Sequence, residues 1–203
     1  MRASVFVSMR ATSATTAIVA LVLVLFGGVT ANAKPLRVEV DEELRTALIK
    51  AVGESESFAD RFDAEVWLVD MAGRLERRMP DPDQRVQFLK LVHHEATRAR
   101  LPAELVLALI DVESNFDRWA ISSVGAQGYM QIMPFWLKEV GRPNDNLFRP
   151  EINLRMGCTI LRFYLDKERG HLQKALARYN GSIGRTTYTD KIFKALRLRW
   201  YRR

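Results

Sequence analysis

One cysteine in 203 residues rules out an intrachain disulfide, so the core has to hold without covalent staples. Cys158 lies in an apolar helical run and reads as a buried structural thiol. Histidine is nearly as scarce, with three in the chain. His93 and His94 are adjacent and so face different sides of a helix, and His171 has no ligand-type neighbour. Neither a metal nor a cofactor is expected. Strand ladders, internal repeats and low-complexity tracts are all missing beyond residue 33, which sets aside sheet and solenoid architectures.

Long apolar runs are also missing, with one exception. Arg2 and Arg10 precede the run Ala17 to Val29, and the small-x-small signal Ala31-Asn32-Ala33 follows it. This pattern predicts a secretory signal peptide over residues 1–33, cut after Ala33, and a periplasmic or secreted protein. The alternative is an inner-membrane signal anchor, because Ala11 to Ala33 carries no charge and is just long enough to span a bilayer. The Ala/Ser/Thr-rich start and Gly-Gly end of the run favour cleavage. No cysteine stands near the cut as a lipid attachment point.

Charge of one sign is in excess: 31 basic against 24 acidic residues give a formal +7. Such a balance serves nucleic acid, an anionic membrane or an acidic polymer. Export, and the lack of a recognition motif, argue against nucleic acid. That leaves attraction to an anionic envelope polymer, with a solvated basic face as the plain alternative. Residues 34–203 suit one domain with a sizeable core, expected as a monomer.

What the chain has in quantity is helical punctuation. Asp41 can cap a short helix carrying Leu44, Leu48 and Ala51. A second helix, Phe58 to Met79, places Phe62, Val66, Val69 and Gly73 on one stripe. Asp81-Pro82 supplies an N-cap and an N1 proline, with Gln84 completing a capping box. That helix runs to about Arg98, with Val86, Leu89, His93 and Ala96 on one side. Pro102 opens the next, to about Asn115. From Phe116 to Arg149 glycines and prolines break the pattern into turns, with one helical turn near Phe135. Ile152, Met156, Ile160 and Tyr164 mark a helix after Pro150 that Gly170 ends. Leu172 to Tyr179 is a short helix, and a last one starts near Thr187 and carries Tyr188, Ile192, Ala195 and Leu196. The class is all-α. Residues 34–80 read as an N-terminal helical extension and 81–203 as the main domain, with an irregular central segment that lines a site.

Glu113 stands out in this pattern. It follows Leu109 by four and Ile110 by three, so it shares the apolar side of its helix. It also sits in the last turn, where the helix dipole disfavours negative charge. Desolvation and dipole both raise a carboxyl pKa, as a general acid near neutral pH requires. The alternative is a glutamate at the edge of the stripe with its head in water.

Three blocks, ESNFDRWAISSVGAQGYMQIMP from Glu113, RPEINLRMGCTILRFYL from Arg149 and ALARYNGS from Ala175, resemble the lytic transglycosylase domain of the soluble, lysozyme-like kind. Their order and spacing match that family over about residues 84–195. The resemblance implies a lysozyme-like helical fold and cleavage of peptidoglycan between N-acetylmuramic acid and N-acetylglucosamine, leaving 1,6-anhydro ends. It implies Glu113 as acid and then base. Ser114, Ser122, Met130, Gln131, Tyr179 and Asn180 support the substrate or the acid in that picture. Tyr179 would hold Glu113 by a hydrogen bond, Ser114 and Ser122 would position the carboxylate or the N-acetyl group, Gln131 and Asn180 would bind sugar amides and hydroxyls, and Met130 would line the groove. Each has a plain counterpart as a cap, loop or core residue. Two departures from the family are Tyr129, where leucine is usual, and Arg178, where alanine is common before Tyr-Asn. An aromatic at 129 would narrow the groove or offer a stacking surface, and position 178 reads as an exposed helix site.

A two-carboxylate glycosidase needs a second acid. Asp111 points to another side of the helix and Asp117 lies beyond its end. The rival readings are a lysozyme-type hydrolase and a non-catalytic peptidoglycan-binding or scaffold module, with an envelope protein partner docked on the N-terminal helices or the basic C-terminus.

Overall fold

In the computed structural model, residues 61–140 and 144–201 are described. The leader and the helix expected at Asp41 lie outside them. The described chain forms α1 (Arg61–Leu75), α2 (Pro82–Arg98), α3 (Ala103–Glu113), α4 (Trp136–Val140), α5 (Pro150–Lys167), α6 (Leu172–Tyr179) and α7 (Thr187–Ala195), closed by a π-helical turn at Leu196–Trp200. Among the described residues β pairing is limited to two isolated bridges, Ile121 with Gln127 and Gln127 with Ile132. The all-α class stands. Among the same residues no helix is long and apolar enough to cross a membrane.

α3 is the axis of the molecule. Its residues Leu105 to Ile110 are all buried, the signature of a helix covered on every side. α2, α7 and the π-helical turn pack around it. α2 begins as its sequence dictates: the Asp81 carboxylate accepts the Gln84 backbone N–H at 2.8 Å, and Pro82 stands at the first helical position. Val86, Leu89 and Ala96 are buried on its inner side and His93 is partly buried. The His93 ring meets the edge of Trp67 at 5.1 Å. Burial pushes its pKa down to about 4, so it sits there as a neutral ring.

α1 reverses its expected face. Phe62 is 72% and Val66 39% exposed, while Ala64, Trp67, Leu68, Met71, Ala72 and Leu75 are buried. A second stripe, set two residues further on, holds Leu68, Met71 and Leu75 with Trp67 beside them, and burial follows the larger transfer free energy. Trp67 also donates its indole N–H to Glu104 at 2.9 Å, fixing α1 on α3.

α5 follows its four-residue rhythm, with Ile152, Met156, Ile160 and Cys158 buried. Burial pushes the Cys158 thiol pKa up, which suits an inert core position. Arg178 turns out half-buried: its guanidinium donates to Glu168 and closes the corner between α5 and α6. α6 and α7 then return along α5 and α3.

Candidate active site at the end of helix α3

Glu113 is the last residue of α3 and, unlike Leu109 and Ile110 before it, reaches partial exposure. Burial raises its carboxyl from the ordinary 4.5 to about 7, opposed by a hydrogen bond from Tyr188. The Tyr188 hydroxyl donates to Glu113 Oε1 at 2.5 Å from α7. A carboxyl so placed holds a proton at neutral pH yet can release it, the property a general acid needs.

Past Glu113 the chain is forced into an unusual turn. Asn115 and Phe116 both take positive φ, 50° and 66°, a region costly for residues other than glycine. Phe116 is held there by burial between the rings of Phe88 (6.0 Å) and Trp200 (5.2 Å). The loop that follows folds back over the end of α3. Ser114 Oγ donates to the Tyr129 carbonyl at 2.8 Å, tying the helix end to that loop.

One buried side chain, Asn153 on α5, pins the loop from behind. Its Oδ1 accepts the Met130 N–H at 2.7 Å, and its amide donates to the Gln127 and Leu147 carbonyls at 2.9 and 2.8 Å. Gly128 passes so close that a Cβ there would lie 2.4 Å from the Asn153 amide and 2.5 Å from the Leu147 oxygen, at φ +75. Only glycine fits this crossing. Met130 fills the remaining gap. It is fully buried with its sulfur against Gly157, so it belongs to the core and not to the surface of a groove.

The expected site residues divide in the structure. Glu113 and Ser114 stand together at the end of α3. Tyr179 is brought alongside, but its hydroxyl donates to the Met130 carbonyl at 2.8 Å and not to Glu113. The hydroxyl that holds the acid is Tyr188, a residue that periodicity assigned only to a helix face. Ser122 closes its own turn, with Oγ accepting the Ala126 N–H at 3.0 Å. Gln131, at φ +49, donates its amide to the Ala120 and Gly128 carbonyls and so braces the loop. Asn180 is exposed at the C-cap of α6. Tyr129 is 5% exposed and packs against Phe88 at 4.6 Å, so it is a core aromatic and no sugar platform. Among the aromatics of the same segment, Phe116 is buried and Trp136 half-buried, while Trp119 and Phe135 are exposed.

The neighbouring carboxylates are committed elsewhere. Asp111 is buried and accepts from Arg78 (3.2 Å), Arg199 (2.6 Å) and the Trp200 indole (2.8 Å). Asp117 accepts the Trp119 N–H at 2.8 Å in a local turn. Asn153, Asp111 and Tyr188 are the contributors that sequence reasoning missed. Asn153 alone left a trace, a polar residue on the apolar stripe of α5 between Ile152 and Met156.

The chain is similar in sequence to proteins of known kind. The sequence model of the transglycosylase SLT domain matches residues 90–197, from within α2 to the π-helical turn. The membrane-bound lytic murein transglycosylase C of Yersinia pestis is 32% identical over 124 residues, which take in 52% of this chain and 35% of that protein. The chain thus spans about a third of the length of such relatives. An inactive mutant of lytic transglycosylase Slt from Pseudomonas aeruginosa superimposes with a TM-score of 0.44 at 21% identity, covering 77% of this chain and 34% of that one. The 70 kDa soluble lytic transglycosylase of Escherichia coli gives 0.43 at 19%, covering 74% and 28%. The family match takes in more than half of the chain, the stretch from Glu113 to Tyr188 included, and on that ground the chain belongs to the transglycosylase SLT domain family.

Proposed function

We propose that this protein is a peptidoglycan lytic transglycosylase in which Glu113 is the single acid and then base. The observation that carries the reading is a partly buried carboxyl with its pKa near 7, held by Tyr188 at the mouth of a loop-covered helix end, while Asp111 and Asp117 are tied up elsewhere. A site with one free acid has to draw its second group from the substrate. Glu113 donates its proton to the glycosidic oxygen as the bond from C1 of N-acetylmuramic acid breaks. The neighbouring N-acetyl group stabilises the cationic centre. Glu113, now a carboxylate, takes the proton of the muramic 6-hydroxyl as that oxygen bonds to C1. The proton count closes and no water is consumed, so the reaction is an intramolecular transglycosylation at C1, formally a lyase reaction, yielding a 1,6-anhydro end.

The supporting residues take positional roles in this proposal. Tyr188 aims the acid. Ser114, Gln131 and Tyr179 fix the loop through the Tyr129, Gly128 and Met130 carbonyls, and Ser122 shapes its turn. Asn180, at the exposed end of α6, is the member free to meet a sugar. Residues 1–33 act as an export signal, 34–80 as a helical extension and 81–203 as the catalytic domain, working in the periplasm on glycan strands.

The test is mass spectrometry of fragments released from purified sacculi by the protein and by Glu113→Gln. Anhydro-muramyl products, lost in the variant, are the expected result. Reducing ends would make the enzyme a hydrolase, and bound sacculi with no release would make it a binding module.

A further inference from the structure

The Asp111 carboxylate gathers parts of the chain that are far apart in sequence. It lies two residues before Glu113 on α3 and is buried. Arg78 reaches it from the connection between α1 and α2, and Arg199 and Trp200 from the closing π-helical turn. The same Arg78 donates its Nε to Asn115 Oδ1 at 2.8 Å and lies over the Phe116 ring at 5.7 Å. Asn115 and Phe116 are the two left-handed residues just after Glu113. Arg74 adds a further tie, donating to the Arg199 and Tyr201 carbonyls at 2.8 and 3.1 Å.

Both ends of Glu113 are therefore governed by this knot. Its backbone is fixed by the strained Asn115-Phe116 turn, which Arg78 and the Trp200 ring hold in place. Its carboxyl is held by Tyr188, and α7, which carries Tyr188, runs without a break into the π-helical turn that Asp111 anchors. We infer that Asp111, with Arg199 and Trp200 of the closing turn, is a positioning clamp that holds α7 and its Tyr188 hydroxyl against Glu113. The inference rests on Glu113 being the reacting acid.

A clamp of this kind acts on the orientation of the acid and on the water around it, while sugar contacts are left alone. A misplacement on the scale of an ångström lowers the chemical step far more than binding. The groups that face the Glu113 carboxyl are Tyr188 from α7 and Tyr179 from α6, whose hydroxyls burial first and the Glu113 charge second keep well above the usual tyrosine range. If α7 lifts, water reaches the carboxyl. Desolvation is the larger influence on it, ahead of the Tyr188 hydrogen bond, so the net movement is downward.

The experiment uses the full chain with Trp200→Phe, which keeps an aromatic ring and removes the indole donor, and Arg199→Gln, which removes one ion pair at a side chain 43% exposed. Turnover and KM on glycan strands, thermal melting, and a carbon-13 NMR titration of the Glu113 carboxyl are measured, with Glu113→Gln serving to assign the signal. The expected result is a kcat lower by about tenfold, a KM within about twofold, and a Glu113 titration displaced toward ordinary carboxyl values. Unchanged kcat and unchanged titration in folded variants, even with a lower melting temperature, would reduce the clamp to packing. Should Trp200→Phe fail to fold, Arg199→Gln decides alone. Full activity in Glu113→Gln would overturn the catalytic reading, whereas the titration of Glu113 judges the clamp without any turnover.

Discussion

At the scale of the single residue, Glu113 was legible because two kinds of information met on it. Helical spacing put a carboxyl on an apolar face, and the block that follows it supplied the context. Its partner was not legible. Tyr179 and Tyr188 both sit on short helices with a hydroxyl to place, and which of them reaches residue 113 depends on how α6 and α7 turn back, a matter of packing. Two expectations follow for this pair. Tyr188→Phe removes a hydrogen bond that lowers the acid's pKa, so the basic limb of kcat/KM against pH should move upward from about 7, with a fall in rate. A limb that stays put would separate Tyr188 from the acid. Stability should respond to pH through the same carboxyl. Its folded pKa is raised above the unfolded value of 4.5, so the fold is penalised above pH 7 and the penalty vanishes as pH falls to 4.5. Glu113→Gln should therefore stabilise the protein by roughly 2 kcal/mol at pH 8, allowing for the solvent at its edge, and by nearly nothing at pH 4, as read by urea denaturation.

At the scale of the element, caps and stops read well. Asp81-Pro82 opened α2, Pro150 and Gly170 bracketed α5, and Leu172–Tyr179 fell where its spacing placed it. The failures came where two apolar faces competed, as on α1, or where an element gains its shape from a distant partner. The loop over Glu113 is the leading example, since Asn153 on α5 supplies three of its hydrogen bonds. Asn153→Ala leaves buried backbone groups unpaired and should cost about 3–5 kcal/mol. Amide exchange at Met130 should quicken along with the loss in melting temperature. Gly157→Ala works from the opposite side, since the added methyl would stand 2.3 Å from the Met130 sulfur. It should cost about 1–3 kcal/mol by overpacking and displace Met130, whose carbonyl receives Tyr179. A crystal structure with the loop unmoved would count against that route.

Over the whole molecule, composition had most to say about charge and least about shape. An excess of positive charge should make adsorption to sacculi fall as salt rises from about 50 to 200 mM, while turnover of short muramyl oligosaccharides at saturating concentration changes far less. Equal salt dependence in both assays would place the sensitivity in the site itself. The lone buried thiol should leave the melting temperature the same with and without a reducing agent, because no covalent tie exists to be broken. The overall architecture came through because α3 is apolar on every side from Leu105 to Ile110 and its neighbours carry matching stripes. Their arrangement, and the way the last turn returns to the first described helix, is set by contacts no local pattern encodes.

The distance along the chain between the acid and its hydroxyl has a bearing on biosynthesis. Glu113 and Tyr188 are 75 residues apart, and the clamp waits for Trp200 as well. Glu113 therefore leaves the ribosome well before its hydroxyl partner, and α3 acquires that partner only when α7 and the π-helical turn have been made and folded onto it.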